Sequence, residues 1–448
     1  MRPWDRINFK TPFLCVLISL GLLFGAGVAP RPPAPSAAGR ATLIFKSDDG
    51  GATWQPADTG IALAHEVRAI ALDPSSSQTL YAGTNYGVFK STSGGNDWNI
   101  PSGRLAVEGV HNLVVDPQTP STAYCLSGDV GGGLVFKTTN GGLTWAPVGN
   151  SANNLVDGAF SLAIDPSAPS TLYAGGDNPD ISGVYKTTDG GDLWTFRGFA
   201  GMFIHEVNLV AVDPKTPSNV YASVADSRPE DNDGLYRSTD SGITWRQLWD
   251  YAKVLSIAID PETPTTIYMV TTGDQPSGLL KSTDAGTHFA QISVPGAERI
   301  KMAAVDPVSS NQVYVSANNG LFKSMDNGTS WNRLPLEASV SSIGFDPHDA
   351  AVIYAGTSIP GPKITGASII GKRLIVTGEG FDAGAKIVVL FRPDDRRVER
   401  TLDDDQNPGA GLVAPKAGKQ IAPGQSVQLF VVEPDSVESP PFPFTRPL

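Results

Sequence analysis

The chain has 448 residues, 17% of them charged, and a formal net charge of −12. That acidic balance excludes nucleic acid as a natural partner, because phosphates need a basic face, and it favours solubility and neutral or cationic partners. With 48 glycines, 36 prolines and apolar stretches rich in Val, Ile, Leu and Thr, the composition is that of short strands joined by many turns.

At the N-terminus, Arg2, Arg6 and Lys10 precede an uncharged run from Phe13 to Ala29 and a Pro-rich stretch. Residues 1–40 are therefore a targeting segment with a linker. It is either a signal peptide, cleaved near the small residues Ser36-Ala37-Ala38, or a retained anchor. Cys15 lies inside the apolar run, so a mature chain keeps only Cys125 and no intramolecular disulfide. Cys125 takes the place of Ala82 and Ala174 in related strands, as a small core residue would.

Two motifs then alternate. The first recurs as FKSDDGGATW (45–54), FKSTSGGNDW (89–98), FKTTNGGLTW (136–145), YKTTDGGDLW (185–194), YRSTDSGITW (236–245), LKSTDAGTHF (280–289) and FKSMDNGTSW (322–331). Its seven copies lie 42 to 51 residues apart. The second motif is an apolar run ending in Asp-Pro, followed by a run centred on a tyrosine: Tyr81, Tyr124, Tyr173, Tyr221, Tyr268, Tyr314 and Tyr354. Each period reads as four strands, with Asp-Pro making the first tight turn. Four short strands per period are the pattern of a propeller blade.

The order of the motifs predicts closure. The chain enters on strands three and four (residues 43–55) and leaves on strands one and two (residues 341–357). Neither half is a blade alone; together they make the seventh and leave no free edge.

In that frame the first motif is the turn between strands three and four. Asp49, Asp189, Asp240, Asp284 and Asp326 hold turn N–H groups. Trp54, Trp98, Trp145, Trp194, Trp245 and Trp331 fill gaps between blades. A catalytic group is needed once, not seven times, and Ser93 and Asn140 replace the aspartate in two copies. A basic residue precedes every box hydroxyl (Lys46, Lys90, Lys137, Lys186, Arg237, Lys281, Lys323), which reads as charge pairing within the strands.

Ser/Thr-x-Asp-x-Gly-x-Thr-Trp, complete in 47–54 and 238–245, resembles the BNR or Asp-box repeat. That box occurs in sialidases, xyloglucan-hydrolysing glycosidases, the sortilin ectodomain and the photosystem II assembly factor family. The resemblance covers about residues 41–358 and implies a seven-bladed β-propeller, closest in texture to the assembly-factor and sortilin-like group. It says little about activity, because unrelated functions share the box. The sialidases' Phe-Arg-Ile-Pro segment is absent here. Where the xyloglucan hydrolases carry a catalytic aspartate after the second strand, this chain has Thr84-Asn85-Tyr86-Gly87. After a short hinge at Gly361-Pro362, residues 362–448 resemble the start of an IPT/TIG immunoglobulin-like fold, with Gly378-x-Gly380-Phe381 in its characteristic place.

The expected architecture is all-β: a seven-bladed propeller closed by its two ends, followed by an Ig-like sandwich. Asp-Pro turns and boxes share one face of the ring. The opposite face gathers the loops between strands two and three, with Asp129, Asp177, Asp226, Asp231, Asp233 and Asp274. Beside them lie the residues just before each first strand, including His65, Glu108, Asp157 and His205. One reading is that these loops are simply polar and solvated. The other is an acidic, His-containing pocket at the channel mouth for a cation, a basic peptide or a sugar. No cofactor is implied; Ca²⁺ is the ion such carboxylates would suit, though no loop has a fixed ligand spacing. The expectation is a monomeric bacterial protein, secreted, periplasmic or on the cell surface, that binds a protein or glycan without catalysis. The alternative is a glycoside hydrolase of the sialidase-like or xyloglucanase-like class.

Overall fold

The computed structural model describes residues 42–61, 64, 66–100, 109–128, 133–149, 158–176, 182–198, 206–225, 233–250, 253–273 and 277–358. In the C-terminal part it describes 363–370, 373–379, 386–391, 396–400, 411–414, 421–422, 425–432 and 442–446. Residues 1–40, expected to be a targeting segment, and Gly361-Pro362, expected to be a hinge, lie outside the described residues. No helix among the described residues is long and apolar enough to cross a membrane.

Seven antiparallel sheets form the propeller. The first strand of each blade is Val67–Asp73, Val110–Val115, Ala159–Ile164, Glu206–Val212, Lys253–Ile259, Ile300–Val305 and Val340–Phe345. Every first strand contacts the first strand of the next blade, and the last contacts Val67–Asp73, so these strands make the closed inner ring. The Asp-Pro turn that follows forms as its chemistry dictates. Asp213 Oδ1 accepts the N–H groups of Lys215 and Thr216, both at 2.9 Å, and Asp116, Asp165, Asp260, Asp306 and Asp346 accept the same pair in their own turns, while Asp73 accepts the N–H and hydroxyl of Ser75.

The seventh blade is shared between the chain's ends. Its strand order runs Val340–Phe345, Ile353–Thr357, Ile44–Ser47, Gln55–Pro56, with Ile44 opposite Gly356 and Ser47 opposite Ile353. In the first blade the outer strand shrinks to a single bridge, Lys90 to Asn99.

The basic residues before the boxes make a different contact from the one the sequence suggests. Each cation lies over the tyrosine ring of its own blade, from 5.2 Å for Lys90 over Tyr81 to 5.8 Å for Lys46 over Tyr354. Five also donate to a main-chain carbonyl in the next blade's box: Lys90 to Gly141, Lys137 to Gly190, Arg237 to Ala285, Lys281 to Asn327 and Lys323 to Gly50. Of these seven basic residues, only Lys46 forms an ion pair with a described residue, Asp48 at 2.8 Å. Charge pairing is thus the exception. In these five blades a carbonyl already supplies a partial negative charge at this spot, so no carboxylate is required. Burial pushes the Lys90, Lys281 and Lys323 ammonium pKa down and the Tyr81 hydroxyl up to about 12. The clasp fastens blade to blade, and Lys323 to Gly50 closes the ring.

Cys125 is free and fully buried among Val110, Leu113 and Phe136. Burial drives its thiol pKa well up, so the group stays neutral and inert.

Beyond the propeller, one sheet pairs Lys363–Ile370, Arg373–Glu379 and Gly411–Ala414. A second orders Arg396–Arg400, Lys386–Phe391, Ser426–Val432 and Phe442–Thr445. Leu374 and Val376 from the first share one buried cluster with Ile387, Val389, Leu429 and Val431 from the second.

Candidate binding face

Gly234–Ser238 leads into the box around Asp240, and both carboxylate oxygens there are engaged. Oδ1 accepts the Ser238 hydroxyl at 2.7 Å and the Thr244 N–H at 2.8 Å; Oδ2 accepts the Thr244 hydroxyl at 2.6 Å. Ser238 Oγ in turn accepts from Asp240 and Gly242 N–H. The Trp245 indole N–H reaches back 2.8 Å to Arg197 O of the preceding blade. The Asp49 and Asp326 boxes repeat the carboxylate pattern. In the fifth blade His288 Nδ1 takes the place of the threonine hydroxyl on Asp284. Asn140 keeps it with an amide, its Nδ2 donating to Thr144 Oγ1. Each box also ties to the Asp-Pro turn of its own blade, as Ser241 N to Ser218 O does at 2.9 Å. Boxes and Asp-Pro turns therefore share one face.

These donors hold Asp49, Asp240, Asp284 and Asp326 at about 2, down from 3.8. For Asp240 the largest cause is the Thr244 hydroxyl. A depressed carboxyl pKa adds stability that is present above 3.8 and lost as pH falls toward 2. Replacing Asp49, Asp240 and Asp326 by Asn is accordingly expected to leave the fold intact at neutral pH. Denaturant midpoints measured between pH 2 and 5 should then fall less steeply with acid than in the parent. An unchanged slope would show that the box carboxylates do not contribute to acid unfolding.

Of the residues expected at the opposite face, His65, Glu108, Asp129, Asp157, Asp177, His205, Asp226, Asp231 and Asp274 lie outside the described residues. Asp233 is described; it is half-buried at the head of Gly234–Ser238, and its carbonyl accepts from Gln247 Nε2. Among the described residues no group of three or more His, Cys, Asp or Glu is placed to hold a metal ion.

The structure adds residues at this face that sequence reasoning missed. All seven first strands carry a β-bulge at their second or third residue, at Arg68, His111, Phe160, Asn208, Leu255, Lys301 and Ser341. Bulges leave one residue unpaired and re-aim its side chain. On the innermost strand, an exposed side chain can face only the axial channel or the ring's end. Arg68 Nε donates to Glu66 Oε2 at 2.7 Å, and its Nη1 lies 3.1 Å from His111 Nδ1 in the next blade. The described part of this rim is thus mixed in charge.

Asn85 sits close by. Its Oδ1 accepts the Glu66 N–H at 3.1 Å, its own N–H donates to Glu66 O, and its carbonyl accepts from Gly109 N. The side chain seals the turn after the second strand against the rim of the first.

Between the fifth and sixth blades the same face opens a cavity of about 440 Å³. Its wall includes Thr272, Ser277, Gln291, Ser293, Ile300 and the exposed Arg299. Gln291 is fixed by a bond from Nε2 to Ser277 O at 3.0 Å.

No protein-family model matches the chain, and no curated protein matches it. Among solved structures, a GH74 enzyme from Niastella koreensis aligns with a TM-score of 0.56 and 18% identity over 85% of this chain and 73% of its own. The GH74 xyloglucanase from Xanthomonas campestris gives 0.56 and 16% over 86% and 73%. A structure of YCF48 bound to D1 peptide gives 0.49 and 12% over 67% and 95%. At such identities the likeness is one of fold: a seven-bladed β-propeller.

The backbone sets Arg299 apart. Just before the first strand, the second and third blades have Gly109 and Gly158, both left-handed at φ 68° and 90°. Arg299 occupies the same position in the sixth blade with φ 45°. The other four blades carry Glu66, Glu206, Lys253 and Ser339 there, none with positive φ, so what distinguishes Arg299 is its backbone conformation and not its residue type.

Proposed function

We propose that this is a non-catalytic extracytoplasmic binding or assembly protein, which holds a protein or glycan on the loop face of its propeller and carries an Ig-like module behind it. The observation that supports this most is Asn85. At the position where the xyloglucan hydrolases carry an acid, an amide accepts a main-chain N–H and holds a turn. A neutral amide cannot donate a proton to a leaving group or act as a carboxylate base. The box aspartates do not substitute for it. Both oxygens of Asp240 are engaged in its own turn, on the other face.

The test is hydrolysis. The full chain, incubated with xyloglucan oligosaccharides, is expected to release reducing ends no faster than buffer. Asn85→Asp serves as a second arm, and restoring a carboxyl there should not create turnover. Reducing ends released in proportion to the parent protein would overturn the reading in favour of a glycoside hydrolase.

A further inference from the structure

We propose that the cavity between the fifth and sixth blades binds a hexuronate-containing saccharide, with Arg299 taking the sugar carboxylate. This names a ligand class for the binding reading above and rests on it. Three observations carry it. The first is the cavity, whose volume of about 440 Å³ falls in the range of ligand pockets, about 300–1,000 Å³.

The second is the backbone of Arg299. Left-handed φ is costly for a side chain with a Cβ; two sister blades adopt it here with glycine, and the other four place Glu66, Glu206, Lys253 and Ser339 here without it. Such a conformation persists where the surroundings hold it, in tight turns such as those of Ser241, Ala285 and Asn327 and at ligand sites alike; Arg299 lies in no box and lines a cavity. Among the described residues the guanidinium makes no hydrogen bond or ion pair with any protein group. The adjacent Glu298 is held through its main chain instead, its N–H to Asn319 Oδ1 and its carbonyl to Asn318 N–H. The strained residue therefore presents an unengaged planar fork at the cavity wall, a shape matched to a carboxylate.

The third is the rest of the lining. Thr272, Ser277 and Ser293 offer hydroxyls with no described protein partner, and Gln291 is held by one amide hydrogen and keeps its carbonyl oxygen for a ligand. Ile292 and Ile300 supply an apolar wall. Alternating donors and acceptors beside an aliphatic surface suit a sugar ring, whose hydroxyl rim is polar and whose C–H face is not. A peptide carboxylate would use the arginine but leave these hydroxyls unmatched.

The experiment is calorimetric titration of the full chain with three probes: trigalacturonate, its fully methyl-esterified form, and a hexapeptide with a free C-terminus. Trigalacturonate is expected to bind, and methyl esterification to weaken it about tenfold or more, as loss of a charge-assisted pair should. Arg299→Gly should weaken trigalacturonate by a similar factor while its melting temperature holds or rises, because glycine relieves the left-handed backbone. Arg299→Lys should fall between, keeping charge but losing the fork. The proposal is overturned if trigalacturonate does not bind, if its methyl ester binds as well, if Arg299→Gly retains affinity, or if only the peptide binds. Hydrolysis of xyloglucan would defeat the non-catalytic reading without altering this dependence on Arg299, so the two failures are separable.

Discussion

Deleting residues 42–57 is expected to abolish the monomeric, cooperatively melting protein. The cut removes Ile44–Ser47 and Gln55–Pro56, half of the seventh blade. Leu43 and Ile44 are fully buried, and each contributes about 1.5–3 kcal/mol by burial. Two such losses reach the lower end of a domain's net stability, about 5–15 kcal/mol. Further contacts go with them. Lys323 loses the Gly50 carbonyl, and the Trp98 indole N–H loses Ala57 O at 2.7 Å. Ile353–Thr357 is left as a bare edge, ready to pair with another copy. Light scattering on a sizing column and a thermal melt read the outcome. Adding the missing segment as a peptide should restore the monomer by strand addition. A truncated chain that stays monomeric with an unchanged melt would show that the ring does not depend on the shared blade.

That closure is legible in the sequence, because a repeat makes its own alignment. Seven boxes and seven Asp-Pro turns fix the blade count, and the order in which they begin and end fixes which strands are shared. Contacts between repeats were not legible. The sequence shows a lysine before each box but not the carbonyl of the next box, which comes into reach only when blades sit side by side, as Lys137 and Gly190 do. The bulges at Arg68, His111 and their counterparts have no residue signature, since the seven positions hold seven different residues. For the site, a search for carboxylates and histidines led to loops of which only Asp233 is described. The cavity is lined by Thr, Ser, Gln and a single cation, and such residues stand out only once a wall has formed around them.

Size matching between blades gives the other large expected effect. A Cβ on Gly83 would lie 2.6 Å from Val110 Cγ1 in the next blade, and the same register holds Gly356 against Val67. The second blade solves the packing the other way: Leu126 fills the equivalent position and faces Ala159, both in one buried cluster. Gly83→Leu is therefore expected to cost about 3 kcal/mol, the upper range for overpacking a well-filled core. Val110→Ala alone loses packing and is destabilising too. Combined, they recreate the Leu126–Ala159 pairing, and the double variant should be more stable than the sum of the two by about 1–2 kcal/mol. Gly175 supplies the control. There the added Cβ would sit 2.7 Å from Val207 O as well as 2.7 Å from its Cγ1, and trimming a side chain does not move a carbonyl. Gly175→Leu should accordingly resist rescue by Val207→Ala. Denaturant unfolding of the six variants decides the matter; additive costs at both sites would mean that large-against-small matching does not set the spacing between blades.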